Sequence, residues 1–312
     1  MMGSLLSEAP PLYPVPPTDL SAPHTMSLAF TVICVTFWVL SLGWVTRLAL
    51  RGDPLGIVFL LGGLCMGMLE PYLDYLGLLW FADDNVAITV NLFARHIPLY
   101  VVLGYSFFFG LQAYIIFRAI QLGKGTRFFV YAYAISWVFD AALQITGAQF
   151  GLYRYYGHQP FLIFGAPAWW YTIDGSLQLA SGLVFFLVRH RLRGWGRLLV
   201  IPMLPAMYAG LNGALGWPVF TALNSNYKAE VNGNGSTAAV YLGGVATIAL
   251  TALVVWLVVA EIKGAQQRAG IRLDRNVAVG EVFLAKVGIG LHPDQPSSDR
   301  GAYRPVAPPV AY

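Results

Sequence analysis

Charge is scarce in this chain. Of 312 residues only 11% are Asp, Glu, Lys or Arg, against about 25% in an ordinary soluble domain, which excludes a soluble globular protein. The net charge of +4 is not the footprint of a nucleic-acid binder, because the basic residues fall in short stretches between apolar runs, where they set orientation. Cysteine is nearly missing. Cys34 and Cys65 both lie within apolar runs without CxxC or metal-ligand spacing, so they define no metal motif and leave the redox compartment open. A basic amino-terminal region is lacking too: MMGSLLSEAPPLYPVPPTDLSAPHT is Pro-rich and does not read as a cleaved signal peptide. No internal repeat is detectable.

Apolar residues fill the space that charge leaves, at 57% of the chain. Seven runs are long enough for the roughly 20 residues that a span requires: about 27–50, 55–80, 92–117, 127–147, 166–188, 198–222 and 237–261. At these lengths only helices satisfy their own backbone in lipid. The expectation is an all-α polytopic membrane protein, with seven transmembrane helices over 27–263. A Pro-rich outer tail precedes them (1–26), and a disordered inner tail follows (264–312). Residues 277–291 are apolar but too short to span, so they read as a surface-lying or sticky tail segment.

The loops orient the bundle. Arg47 and Arg51, then Arg118, Lys124 and Arg127, then Arg189, Arg191, Arg193 and Arg197, then Lys263, Arg268, Arg272 and Arg275 all fall on one side. Arg95, Arg154 and Lys228 fall on the other, with Glu8, Asp19, Asp83 and Asp84. The positive-inside rule puts the N-terminus outside and the C-terminus inside, in a plasma membrane or endomembrane. Asn234-Gly-Ser, on an outer loop, reads as an ordinary polar turn.

The strongly polar residues within the spans share one half of the membrane. Glu70 and Asp74 sit at i,i+4 in the second run, with Pro71 able to kink the helix and free a carbonyl. His96 opens the third run, Asp140 and Gln144 close the fourth, Asp174 and Gln178 open the fifth, and Asn212 lies in the sixth. The opposite half has no ionisable side chain in any run and offers only Gln112 and Gln178 as sizeable polar groups. A charge at the bilayer centre costs at least about 2.5–3.5 kcal/mol, so such residues signal function. Glu70, Asp140 and Asp174 are too deep to snorkel. Asp74 reads equally as interfacial, His96 as an interfacial histidine or an active-site base, and Asn212 as interhelical glue or a ligand-binding group. Trp137, Tyr153, Tyr155, Tyr156, Trp169, Trp170, Tyr171 and Trp217 gather at the same end, as an interfacial belt or as walls of a site. The apolar connection FGLYRYYGHQPFLIFG is a candidate lid.

A carboxyl group surrounded by hydrocarbon stays protonated and can deliver its proton. For an apolar substrate the acceptor is a carbon–carbon double bond. Aromatic faces and a neighbouring carboxylate then stabilise the carbocation. The expected site has Glu70, Asp174, Asp140 and His96 as catalytic groups. Asp74, Trp137, Tyr153, Trp170, Tyr171, Gln178 and Asn212 are its expected substrate contacts, with no metal and no cofactor.

Residues 136–175, through Asp140, Gly147, Phe150, Gly151, Tyr153, Tyr155, Gly165 and Pro167, resemble the integral-membrane carotenoid hydratases of the bacterioruberin and myxol pathways, which usually have Glu where this chain has Asp140. Glu70 in the second run and Asp174-Gly175-Ser176 resemble the small seven-helix terpene cyclases of fungal meroterpenoid and bacterial indole-terpenoid pathways, whose Asp lies in the last helix. Both resemblances imply protonation of an isoprenoid alkene drawn from the bilayer; they differ in whether carbon or water captures the cation. The expected function is a terpenoid cyclase, with a hydratase as the second reading. A proton-coupled transporter is the third, although it needs polar groups through the full depth. A retinal protein is excluded by the lack of lysine within 237–261.

Overall fold

The computed structural model describes residues 14–225, 237–274 and 276–290; Asn234, Lys228, Glu8 and Arg275 lie outside them. Ten helices and six short strands follow one another among these residues: α1 (His24–Leu50), α2 (Leu55–Met66), α3 (Glu70–Gly77), β1 (Leu79–Phe81), β2 (Ile88–Leu92), β3 (Arg95–Pro98), α4 (Leu99–Tyr105), α5 (Gln112–Gln121), α6 (Thr126–Gln149), β4 (Tyr153–Tyr155), β5 (Leu162–Ile163), β6 (Ala166–Pro167), α7 (Ala168–Leu187), α8 (Val200–Asn224), α9 (Thr237–Arg268) and α10 (Val279–Lys286). A 3₁₀ turn over Gly67–Leu69 joins α2 to α3, and a π-helical turn over Ser106–Leu111 joins α4 to α5.

Six segments are long and apolar enough to cross a membrane: His24–Leu50, Leu55–Gly77, Leu99–Gln121, Thr126–Gln149, Gly194–Asn224 and Ala238–Arg268. The predicted fifth span, α7, is too polar to count with them. Every residue from Trp169 to Leu183 is buried, because α5, α6, α8 and α9 pack around it. A helix walled by protein has no lipid to satisfy, so α7 can carry Thr172, Asp174, Ser176, Gln178 and Ser181.

The strands depart from the all-α expectation. They form three antiparallel ribbons at one end of the bundle, β1–β4, β2–β3 and β5–β6. The predicted second span stops at Gly77, where Leu78 turns left-handed (φ 57°). The predicted third starts at Leu99, since 88–98 is a hairpin. The candidate lid is partly built into this end: Tyr155 pairs with Leu79 and Tyr153 with Phe81, while Leu162, Ile163 and Phe164 stay exposed.

The described parts of both tails pack on the bundle. Residues 14–23 lie against the hairpin end, where Asp84 accepts from the Ser21 hydroxyl (2.5 Å) and the Ala22 amide (2.7 Å). The expected disordered tail from 264 is corrected for 264–290. Helix α9 continues to Arg268, and α10 packs on α5 and α6. The reason is its amphipathic surface: Val282 and Ala285 are buried, Glu281 pairs with Lys124, and the Lys286 amine donates to Gln112 Oε1 (2.6 Å) and to Ser136 Oγ. An ionisable group therefore reaches the half of the bundle that the sequence reading left without one.

A buried cluster of acids as the candidate functional site

Helix α3 begins where α2 breaks. Pro71 has no N–H for the Gly67 carbonyl, and the chain tightens into the 3₁₀ turn just before Glu70. Glu70 and Asp74, just beyond this turn, are 4% and 0% exposed. Gly63 lets the π-helical turn approach α2; a Cβ there would sit 2.7 Å from Ser106 Cα. Tyr105, at the head of that turn, donates its hydroxyl to Glu70 Oε2 and accepts from the Tyr208 hydroxyl of α8 at 2.8 Å. Phe109 closes this group, its ring 4.9 Å from those of both tyrosines.

Asp140 enters from α6 and Asp174 from α7, both at 5% exposure or less. The four acids form one electrostatic unit: Glu70 acts on Asp74, Asp140 and Asp174, and Asp140 acts on Asp174. Gln144, one turn beyond Asp140 on α6, accepts from the Tyr155 hydroxyl at 2.6 Å. Trp170 lies one turn before Asp174 on α7. Gly77 is required here, since a Cβ would overlap the Trp170 ring.

One cation stands at the roof. Arg95 of β3 is 4% exposed and acts on Asp74. It donates to Tyr156 Oη (2.9 Å), Phe93 O (3.3 Å) and Leu79 O (3.4 Å), with the Tyr75 and Trp80 rings 5.1 and 5.5 Å away. The turn that delivers it is strained: Phe93 and Ala94 both have positive φ, 53° and 56°, a geometry that favours Asn-Gly.

Aromatic rings line the cluster. Tyr100, Tyr153, Tyr155 and Tyr208 are buried, and each feels the charge of two or more of the acids. Tyr155 meets Trp170 at 5.5 Å and Tyr153 meets Phe81 at 5.1 Å, both edge to face. Several polar atoms inside this wall have no hydrogen-bond partner: both Asp74 oxygens, Asp140 Oδ2, Asp174 Oδ1, both amide atoms of Gln178 and Asn212 Oδ1. Each unpaired buried group costs about 1–3 kcal/mol. So many together mark a place organised for something other than stability.

Most of the expected site residues gather here. Glu70, Asp74, Asp140, Asp174, Tyr153 and Trp170 belong to the cluster, and Tyr171 feels the charge of Asp140. Gln178 lies one turn beyond Asp174, and Asn212 one turn beyond Tyr208, each 2% exposed. Trp137 instead ties α6 to α7, donating to Thr172 Oγ1 at 3.1 Å. His96 is a correction. It sits on the β2–β3 hairpin, with 38% of its side chain exposed, facing Asp83 at 3.8 Å. The hairpin occupies residues that the sequence reading gave to a helix, and so carries the imidazole outward. Trp217 is 59% exposed, as a belt residue would be. Tyr105, Tyr208 and Arg95 were missed: the tyrosines looked like ordinary apolar-run aromatics, and Arg95 like a loop charge. Among the described residues no group of three His, Cys, Asp or Glu side chains is placed to hold a metal ion.

No protein-family model, curated protein or solved structure matches this chain.

Proposed function

We propose that this chain is an integral-membrane terpenoid cyclase. Its buried carboxylic acids protonate an isoprenoid alkene, and its aromatic rings guide the carbocation. One observation carries the reading: four acids from three helices act on one another inside an aromatic wall, with Arg95 as the cation beside them. Carboxyl groups enclosed in an apolar surround retain protons to give. Glu70 accepts a hydrogen bond from Tyr105, which orients it for the role of base or cation stabiliser. Asp174, with one free oxygen, suits the role of acid. Two acids in different surroundings divide the work.

The proposal includes α7 as a seventh span, with the hairpin end outside and the arginine-rich loop ends inside. The substrate enters sideways from the bilayer. The second reading, hydration of a terminal isoprenoid double bond, draws on the packing of the Gly147–Tyr155 stretch: the Tyr153 ring lies where a Gly147 side chain would be, and Tyr155 reaches Gln144 beside Asp140.

The test is turnover. Membranes carrying the chain are incubated with C15 to C40 isoprenoids, and products are identified by mass spectrometry. Glu70→Gln and Asp174→Asn each lower turnover at least about a hundredfold while the protein still inserts. Unchanged turnover in both variants overturns the acid–base reading, and a hydrated rather than cyclised product selects the hydratase.

A further inference from the structure

The amide groups of the cluster have needs that acid–base chemistry does not meet. A carboxyl group can change its hydrogen bonding by gaining or losing a proton; an amide cannot. Gln178 presents an N–H donor and a carbonyl acceptor, and Asn212 a carbonyl acceptor, all without partners in residues that are 2% exposed. Gln178 follows Asp174 by one helical turn, and Asn212 follows Tyr208, which feels the charge of Glu70, Asp140 and Asp174. The two amides also lie at similar depth. Trp170 of α7 packs on Phe220 of α8, and eight residues inward along each of these antiparallel helices stand Gln178 and Asn212, about 12 Å from that contact at 1.5 Å per residue.

From this placement we infer that the substrate is a neutral isoprenoid alcohol, whose hydroxyl is held by Gln178 and Asn212 while its alkene lies among the acids. The inference rests on the proposed reading and adds the substrate's chemical class. A hydroxyl matches the set, because it accepts from the Gln178 N–H and donates to the Asn212 or Gln178 carbonyl. A hydrocarbon leaves every one of these atoms unpaired. A ketone or ether accepts once and leaves both carbonyls unmatched. A diphosphate meets four acids and only one cation, Arg95, which is already engaged by Tyr156, Phe93 and Leu79. A site built to hydrogen-bond a hydroxyl rejects the analogue without it far more strongly than a greasy pocket discriminates size.

The experiment measures binding rather than turnover. The full chain in lipid nanodiscs is titrated with geranylgeraniol, its deoxy hydrocarbon counterpart and geranylgeranyl diphosphate, each expressed per lipid, and tryptophan fluorescence is read. Geranylgeraniol is expected to bind at least tenfold more tightly than either of the others. Gln178→Leu and Asn212→Leu should each remove that preference. Equal binding of alcohol and hydrocarbon by the unaltered chain, tighter binding of the diphosphate, survival of the preference in both variants, or no saturable binding of the alcohol overturns the inference. Failure of the acid–base reading shows elsewhere, as turnover persisting in Glu70→Gln and Asp174→Asn.

Discussion

Lowering the pH from 8 to 6 loosens α10 from the bundle by an amount that follows from one side chain. The Lys286 amine is enclosed between Gln112 Oε1 and Ser136 Oγ, neither of which carries charge. The nearest acid on its own helix, Glu281, is taken by Lys124, which also faces Asp274 at 3.5 Å. Burial pushes the Lys286 pKa from 10.5 down to about 7. Once α10 is released, the amine regains its ordinary value. Between about pH 7 and 10.5 the docked state therefore binds fewer protons than the released one, so docking strengthens as pH rises through that window and is weakest below it. From pH 6 to pH 8 the docked amine passes from mostly protonated to mostly neutral while the released amine stays charged. The integrated difference is about 1.4 kcal/mol, or tenfold in the opening equilibrium. Hydrogen exchange of the amides over 282–286, divided at each pH by the same measurement on Lys286→Met, cancels the intrinsic pH dependence of exchange. That ratio should fall about tenfold between pH 6 and pH 8. A ratio independent of pH refutes the reasoning, because it means that docking α10 does not desolvate the amine.

Three further outcomes follow from other parts of the molecule. Tyr105→Phe removes the hydroxyl that Glu70 shares with Tyr208 and should lower isoprenoid turnover about tenfold or more, with Tyr208→Phe doing less; equal activity in all three proteins removes the relay from the mechanism. Ala94→Gly relieves a left-handed alanine at φ 56° and should raise unfolding stability by about 1 kcal/mol in detergent, read as a higher thermal midpoint; a lower midpoint contradicts the strain argument. His96→Ala should leave turnover within twofold, since the imidazole faces Asp83 on the exposed hairpin; loss of activity would return His96 to the site.

The sequence disclosed the acids more completely than it disclosed their partners. Glu70, Asp74, Asp140 and Asp174 were visible because a carboxyl group within an apolar run is expensive and therefore conspicuous. The i,i+4 pairs Asp140–Gln144 and Asp174–Gln178 were visible because helical spacing is regular. Tyr105 and Tyr208 were not, since tyrosine in an apolar run carries no such cost, and only the meeting of α4 with α8 gives their hydroxyls a purpose. Arg95 and His96 are next-door neighbours whose readings exchanged places. Alternation along β3 turns one of them toward the acids and the other toward Asp83, and a run read as helix conceals a two-residue period. Lys286 was beyond reach for another reason: nothing local in VGEVFLAK says that its lysine finds Gln112 and Ser136 more than 100 residues earlier in the chain.

Hydropathy reads the innermost helix least well, and the cause is physical. A span touching lipid must be apolar on that face, so α1 and α9, with many exposed apolar side chains, stand out strongly. Helix α7 touches protein on all sides and is released from that demand. The same enclosure that lets it hold Asp174 and Gln178 also dilutes its apolar character until it no longer resembles a span. In a membrane bundle the most enclosed helix is thus the one a hydrophobicity scan is most prone to pass over. Tags at residues 165 and 190, read for sidedness in sealed vesicles, should report opposite faces; both on one face would leave α7 a buried hairpin arm and move the acid cluster out of the membrane's depth.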